Sequence, residues 1–257
     1  MLKKSNISFF LQILIICMAA TAASAATYQN SYANSSTGVD DPNTCGSVQA
    51  PCKHIKDAIK NTSAGGTLTL TYADPADIDT ATFCHMPYEM PNENINITKP
   101  ITIQADSALK TKPCFSTGSL GVDIEAKVDI YLKGLRFVGG PGASIGVSVN
   151  KGAQLYVNDC YFLGMFHGIT LLVGSANIVS STFNDIADAI LMHDPLGKPE
   201  SVTVTGSHFI KIKTQVLTVQ KSGTAVFSMN DLNIRNDLFK LPAGFVVKDN
   251  FNTVTRY

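Results

Sequence analysis

The chain has 257 residues, 45% of them hydrophobic and 16% charged, with 20 basic against 20 acidic side chains and no tryptophan. A balanced charge excludes the basic footprint of a nucleic-acid binder. The length suits one large domain or two small ones.

Positions 1–25 stand apart. Lys3 and Lys4 precede an apolar run from Ile7 to Ala20, and Ala23-Ser24-Ala25 follows with small residues where cleavage requires them. This reads as a secretory signal peptide, too short for an anchor, and Ile16 is too bulky before Cys17 for a lipoprotein box. Losing Lys3 and Lys4 leaves 18 basic residues against 20 acidic ones. The mature protein is read as exported (periplasmic, cell-surface or extracellular), with no membrane span after cleavage. Five cysteines remain. Cys45, Cys52, Cys84 and Cys114 flank irregular backbone that lacks ladder hydrogen bonds, so Cys45–Cys52 and Cys84–Cys114 are expected as disulfides in an oxidising compartment. Cys160 falls inside a regular repeat and reads as a free, buried, small apolar filler.

Residues 26–65 form an N-terminal lead-in and a capping helix. The stretch 26–50 is polar and reads as irregular. Pro51 then suits a helix start, and Ile55, Ala58 and Ile59 recur at helical spacing up to Asn61. From residue 66 strand alternation takes over, as in Thr67-Leu68-Thr69-Leu70, Ile95-Asn96-Ile97 and Ile101-Thr102-Ile103, with loops carrying Cys84 and Cys114 between them.

One phrase then recurs six times. The copies are Ile130-Leu132-Leu135-Phe137, Leu155-Val157-Cys160-Phe162, Ala176-Ile178-Ser181-Phe183, Val202-Val204-Ser207-Phe209, Ala225-Phe227-Asn230-Leu232 and Gly244-Val246-Asp249-Phe251. Their last residues lie 25, 21, 26, 23 and 19 positions apart. Such a period marks a solenoid whose units bury a core only by stacking. Alternation turns the first two residues of each copy inward, and the turn after them returns the third residue and the Phe to the interior. The expected fold is therefore all-β, a parallel β-helix over 66–257 with a short N-terminal capping helix. At the other end, Phe245, Val246, Val247 and Phe251 are expected near an open edge. That edge would be covered by the loop Leu238 to Pro242 or engaged in self-association.

Asn43-Thr44-Cys45, Ala50-Pro51-Cys52-Lys53 and the coil phrase around Cys160 resemble the cap and coils of secreted right-handed parallel β-helix proteins of the pectin-lyase-like superfamily. The resemblance implies a right-handed solenoid. It also implies one of several functions, from polysaccharide lyase or glycoside hydrolase to adhesin. The superfamily's catalytic phrases do not carry over. No Asp-Asp pair falls in the coils, and Arg136, Arg235 and Arg256 lie in no matching phrase.

Two constellations remain. His167, Asp188, Thr214 and Asp237 each stand five positions after a terminal apolar residue, with Asp185 close by. Stacked coils would set His167 beside Asp188, and Asp188 about 9–10 Å from Asp237, at the edge of the ~6.5–9.5 Å that inverting glycosidases use. Solvated turn residues are the competing reading. Tyr131 and Tyr156 share an outward slot, with Lys133 and Asn158 two positions on, and would form a platform for a sugar ring or an ordinary cross-strand pair. His85, His193 and His208 show no metal-ligand spacing, and no cofactor is expected. The leading reading is a protein that binds a polysaccharide or surface glycan along an outer face. The alternative is a lyase or hydrolase.

Overall fold

The computed structural model describes residues 27–73, 84, 88, 94–117, 120–139, 144–193, 200–220, 223–234, 239–240, 247–250 and 252–256. The expected signal peptide lies outside them, as do Asp237, Phe245, Val246, Phe251 and most of the loop from Leu238 to Pro242.

Over the described residues the chain winds through three parallel sheets in turn, and the strands below are counted among those residues. Sheet I has nine strands: Tyr28–Ala33, Thr62–Leu70, Ile101–Ala105, Asp129–Lys133, Ala153–Asn158, Gly174–Val179, Glu200–Thr205, Gly223–Ser228 and Val247–Asn250. Sheet II has seven: Cys114–Thr117, Arg136–Gly139, Tyr161–Leu163, Thr182–Asn184, His208–Ile212, Asp231–Ile234 and Thr253–Arg256. Sheet III also has seven: Ile95–Ile97, Leu120–Ile124, Ile145–Val149, His167–Leu171, Asp188–Met192, Gln215–Val219 and Phe239–Lys240. Each strand pairs with its counterpart one coil away, which makes the molecule a parallel β-helix.

The repeat dictates this winding. Ile130, Leu155, Ala176, Val202 and Ala225 share one register column of sheet I, and Leu132, Val157, Ile178, Val204 and Phe227 share another. All ten side chains are buried. A tight turn follows, in which a left-handed residue (Asp159, Ser180 or Met229, at φ 49–53°) swings the chain into sheet II. The next residue points inward and forms a polar ladder. The Ser181 hydroxyl accepts the Cys160 N–H at 3.2 Å, Ser207 accepts that of Ser181 at 3.2 Å, and Asn230 accepts that of Ser207 at 2.9 Å. The turn amides thus find the partners that a buried N–H requires.

Phe115, Phe137, Phe162, Phe183 and Phe209 stack in sheet II with centroids 4.8–5.2 Å apart. In sheet III, Gly146 faces the Phe162 ring and Gly168 the Phe183 ring. A Cβ on Gly168 would lie 2.8 Å from the Phe183 ring and 2.6 Å from the Ala189 carbonyl, so the aromatic stack leaves no room for one.

Four expectations change. Tyr28–Ala33 is the outermost strand of sheet I, whereas 26–50 read as irregular. Its inward residues are Ser31 and Ala33, too small and too polar to show as hydrophobic alternation. Ser31 instead bonds Thr62 and the Ala58 carbonyl beneath the helix. That helix spans Ile55–Asn61, so Pro51 precedes it by a turn, and Lys99 caps its C-terminal carbonyls. The sixth copy of the repeat is shifted. Val247, Asp249 and Val254 pair with Ala225, Phe227 and Leu232, and the Asn252 amide oxygen accepts the Asn230 N–H at 2.8 Å. Asn252 and Val254 therefore hold the slots that the spacing gave to Asp249 and Phe251. Finally, Cys114, expected in a loop, opens the strand Cys114–Thr117, whose Phe115 is a further rung of the aromatic stack.

Both expected disulfides are present, Cys45–Cys52 and Cys84–Cys114, and Cys160 is free and buried. Burial pushes the Cys160 thiol up to about 12, so it stays protonated.

Candidate functional site

Two outer faces carry the candidate residues. On sheet III, the strands His167–Leu171, Asp188–Met192 and Gln215–Val219 lie side by side with His167 opposite Asp188 and Asp188 opposite Gln215. The His167 Nδ1 stands 3.6 Å from Asp188 Oδ2, and each side chain is only 13% exposed. Phe166 is 48% exposed and packs edge-on against the His167 ring, 4.5 Å between centroids.

The pairing differs from the expected one in its third member. Thr214 and Gln215 both donate their N–H to the Ala187 carbonyl, at 2.9 and 3.2 Å. The turn therefore holds one extra residue, so Gln215 faces Asp188 and Thr214 is exposed. Asp185 sits in the preceding turn at φ 55° and bonds Lys213 at 3.0 Å, so it belongs to the rim. Asp237 lies outside the described residues.

Burial holds the His167 imidazole below its ordinary pKa, and the Asp188 carboxylate opposes that shift only in part. The sign of the pH dependence follows. The unfolded chain protonates first as pH falls, so this group's contribution to stability is complete above about pH 6.5 and is lost below it. A proton NMR titration is expected to place the His167 midpoint below that value, and lower still in Asp188→Asn. A midpoint above the ordinary histidine range would mean that Asp188 dominates.

A second row on sheet III, three residues along each strand, sets Thr170, Leu191 and Thr218 in register. Two strands away, Asn150 bonds both Asp123 and Ser148. Burial and repulsion from Glu125 raise the Asp123 pKa. None of Thr170, Gln215 and Thr218 was singled out in the sequence. The signal for the two threonines is an aliphatic–polar pair in the strand after the Phe (Val147-Ser148, Ile169-Thr170, Leu217-Thr218), which Ile190-Leu191 breaks, and no spacing marks Gln215.

On sheet I, Tyr131 and Tyr156 stack with centroids 4.4 Å apart and planes 4° apart. Tyr131 is 43% exposed. Its neighbour on the other side is Thr102, too short to cover the second ring face. Lys133 and Asn158 pair in the next outward column and are exposed. Lys133 also lines a cavity of about 600 Å³ with Gln104, Asp106, Lys110, Lys112 and Asp159. Within it Lys112 and Asp159 form a 2.8 Å ion pair.

The remaining histidines are scattered. His54 lies 3.1 Å from Asp40 beside the helix, His193 pairs with Gln220, His208 lies 3.6 Å from Asp231 on the exposed face of sheet II, and His85 lies outside the described residues. Among the described residues there is no group of three or more His, Cys, Asp or Glu placed to hold a metal ion. No helix among them is long and apolar enough to cross a membrane.

No protein-family model and no curated protein matches the chain. Among solved structures, a doubly substituted pectate lyase from Xanthomonas campestris is similar at 15% identity over 79% of each chain, with a TM-score of 0.31. No residue assignment follows from that likeness.

Proposed function

We propose that this chain is an exported glycan-binding protein that holds a sugar chain on the outer face of sheet I. The observation that carries this reading is the Tyr131–Tyr156 stack lying next to a cavity lined with lysines. Two rings already packed against each other lose little side-chain freedom on binding, and the uncovered face of Tyr131 offers an apolar surface beside a polar hydroxyl. Lys133 and Asn158, two positions on, supply hydrogen-bond donors along the same face. Lys110 and Lys133 favour glycans that carry carboxylates. The two disulfides suit an oxidising compartment, in keeping with export.

Affinity electrophoresis of residues 26–257 through acidic and neutral polysaccharides tests the reading. The Tyr131→Ala/Tyr156→Ala double variant should lose about tenfold in retention, equivalent to about 1.4 kcal/mol. Retention unchanged in that variant would remove the proposal. Shortening of the polysaccharide during the run would favour the lyase or hydrolase reading instead.

A further inference from the structure

The loop 106–112 overhangs the outer face of sheet I and encloses the lysine-lined cavity against it. We propose that this cavity is a binding site for a small molecule that carries a phosphate monoester. The site shares Lys110 and Lys133 with the glycan reading but does not rest on it, because neither Tyr131 nor Tyr156 lines the cavity.

The floor is one outward column of the sheet. Tyr32, Thr69, Gln104 and Lys133 lie in register on four successive strands. At the spacing of paired strands that row is about 14 Å long. The wall is the loop itself, which is tied down at both ends. At one end the Asp106 N–H donates to the Leu70 carbonyl at 2.9 Å, and the Asp106 carboxylate accepts the Ala108 N–H at 2.9 Å. At the other end Lys112 is paired with Asp159, and the Pro113 carbonyl accepts the Arg136 N–H at 2.9 Å. A wall fixed in this way needs little ordering when a ligand enters.

The lining is rich in donors that the protein leaves unused. Among the described residues, no hydrogen bond or ion pair engages the side chains of Thr69, Gln104, Lys110 and Lys133. Lys112 is matched by Asp159, so Lys110 and Lys133 face Asp106 alone, and that carboxylate already serves the loop's own turn.

Charge and shape together select the ligand. A phosphate monoester carries nearly two negative charges at neutral pH and three strong acceptor oxygens. It can meet both ammonium groups and still accept from the Gln104 amide or the Thr69 hydroxyl. No arginine lines the cavity, so the planar fork that grips a carboxylate is missing, whereas lysine serves phosphate well as a point charge. The cavity, about 600 Å³, has the size of a small-molecule site and is far larger than a bare phosphate ion. The Tyr32 ring and the half-buried Leu109 give the organic part of the ester an apolar contact.

Isothermal titration of residues 26–257 in phosphate-free buffer tests the inference. The probes are glucose 6-phosphate, ribose 5-phosphate and glycerol 3-phosphate, with glucose 6-sulfate, glucuronate and glucose as comparisons. At least one phosphate ester should bind, and glucose 6-sulfate, glucuronate and glucose should each bind more weakly than it does. Lys110→Gln and Lys133→Gln should each weaken the ester by about fivefold or more. Both lysines are exposed, so their unfolding midpoints should match that of the parent protein, which separates lost binding from lost folding. Lys127→Gln, the same charge change on an exposed lysine outside the cavity, should leave ester binding as it is. Absence of binding by all three phosphate esters would overturn the inference. Equal loss in Lys127→Gln would also overturn it, as would glucuronate binding as tight as the best ester. Ester binding that disappears in Tyr131→Ala/Tyr156→Ala would place the ligand on the rings and defeat the proposal, whereas polysaccharide retention in that variant bears only on the glycan reading.

Discussion

Replacing Phe183 by alanine is expected to destabilise the protein by about 3–5 kcal/mol, the range for removing a fully buried ring. Phe183 is inaccessible to solvent and lies between Phe162 at 4.8 Å and Phe209 at 5.0 Å, with planes within 4° of both. Gly168 presses against its edge from sheet III, so the backbone on that side is already as close as it can come and does not collapse into the space left. Coils of a solenoid contact only their neighbours. The cavity therefore weakens two interfaces at once. Phe162→Ala should behave alike, whereas Phe166→Ala, on an exposed ring, should fall within about 0.5 kcal/mol of the parent. Urea unfolding midpoints provide the measurement. A midpoint in Phe183→Ala equal to that of Phe166→Ala would contradict the stack's role in stability.

The aromatic stack was legible because the distance from the paired aliphatics to the Phe is constant while loop lengths vary elsewhere. In sheet I and sheet II that constancy is physical: the turn between them is one left-handed residue and one inward residue (Leu135, Cys160, Ser181, Ser207, Asn230) in coil after coil. Where the inward slot changed chemistry, the reading slipped. Phe251 attracted the sixth copy because it is aromatic, but Asn252 bonds Asn230 and so determines which residue follows into sheet II. Tyr28–Ala33 stayed hidden for a related reason. A strand at the end of a solenoid lies under a helix rather than a full core, and Ser31 meets Thr62 there instead of an aliphatic side chain.

Sheet III was harder to read. Its strands follow turns of unequal length, so counting from the Phe brings His167 opposite Asp188 but misses Gln215 by one residue. The positions pressed against the Phe162 and Phe183 rings are Gly146 and Gly168, which carry no hydrophobic signal although they leave the rings room to stack. The proximity of His167 and Asp188 was foreseeable from spacing alone. The buried hydroxyls of Thr170 and Thr218 were not, because threonine on an outer sheet face is ordinary until its burial is known. On sheet I, the pairing of Tyr131 with Tyr156 followed directly from the repeat, while Lys110 and Lys112 come from a loop that no period governs.

Removing the Cys84–Cys114 disulfide as Cys84→Ala/Cys114→Ala is expected to cost more than removing Cys45–Cys52 in the same way. The two bridges span 30 and 7 residues. In the chain-entropy picture, loops of those lengths contribute about 3.5 and about 2.5 kcal/mol by restricting the unfolded chain. Their folded surroundings press the same way. Cys45 and Cys52 are both inaccessible, and the Asn61 amide that holds the lead-in bonds the Cys45 and Pro42 carbonyls at 3.0 and 2.8 Å, so the shorter bridge is backed by bonds that survive its loss. The Cys84–Cys114 bridge instead anchors its segment to the sheet II strand that carries Phe115, the first rung of the stack, with Tyr88 6.0 Å from that ring. Both considerations rank the longer bridge first. Urea midpoints of the two alanine pairs decide it, with Cys160→Ala, which breaks no cross-link, as the reference. A smaller loss from the longer bridge would show that Phe115 and Tyr88 hold their coil by packing alone.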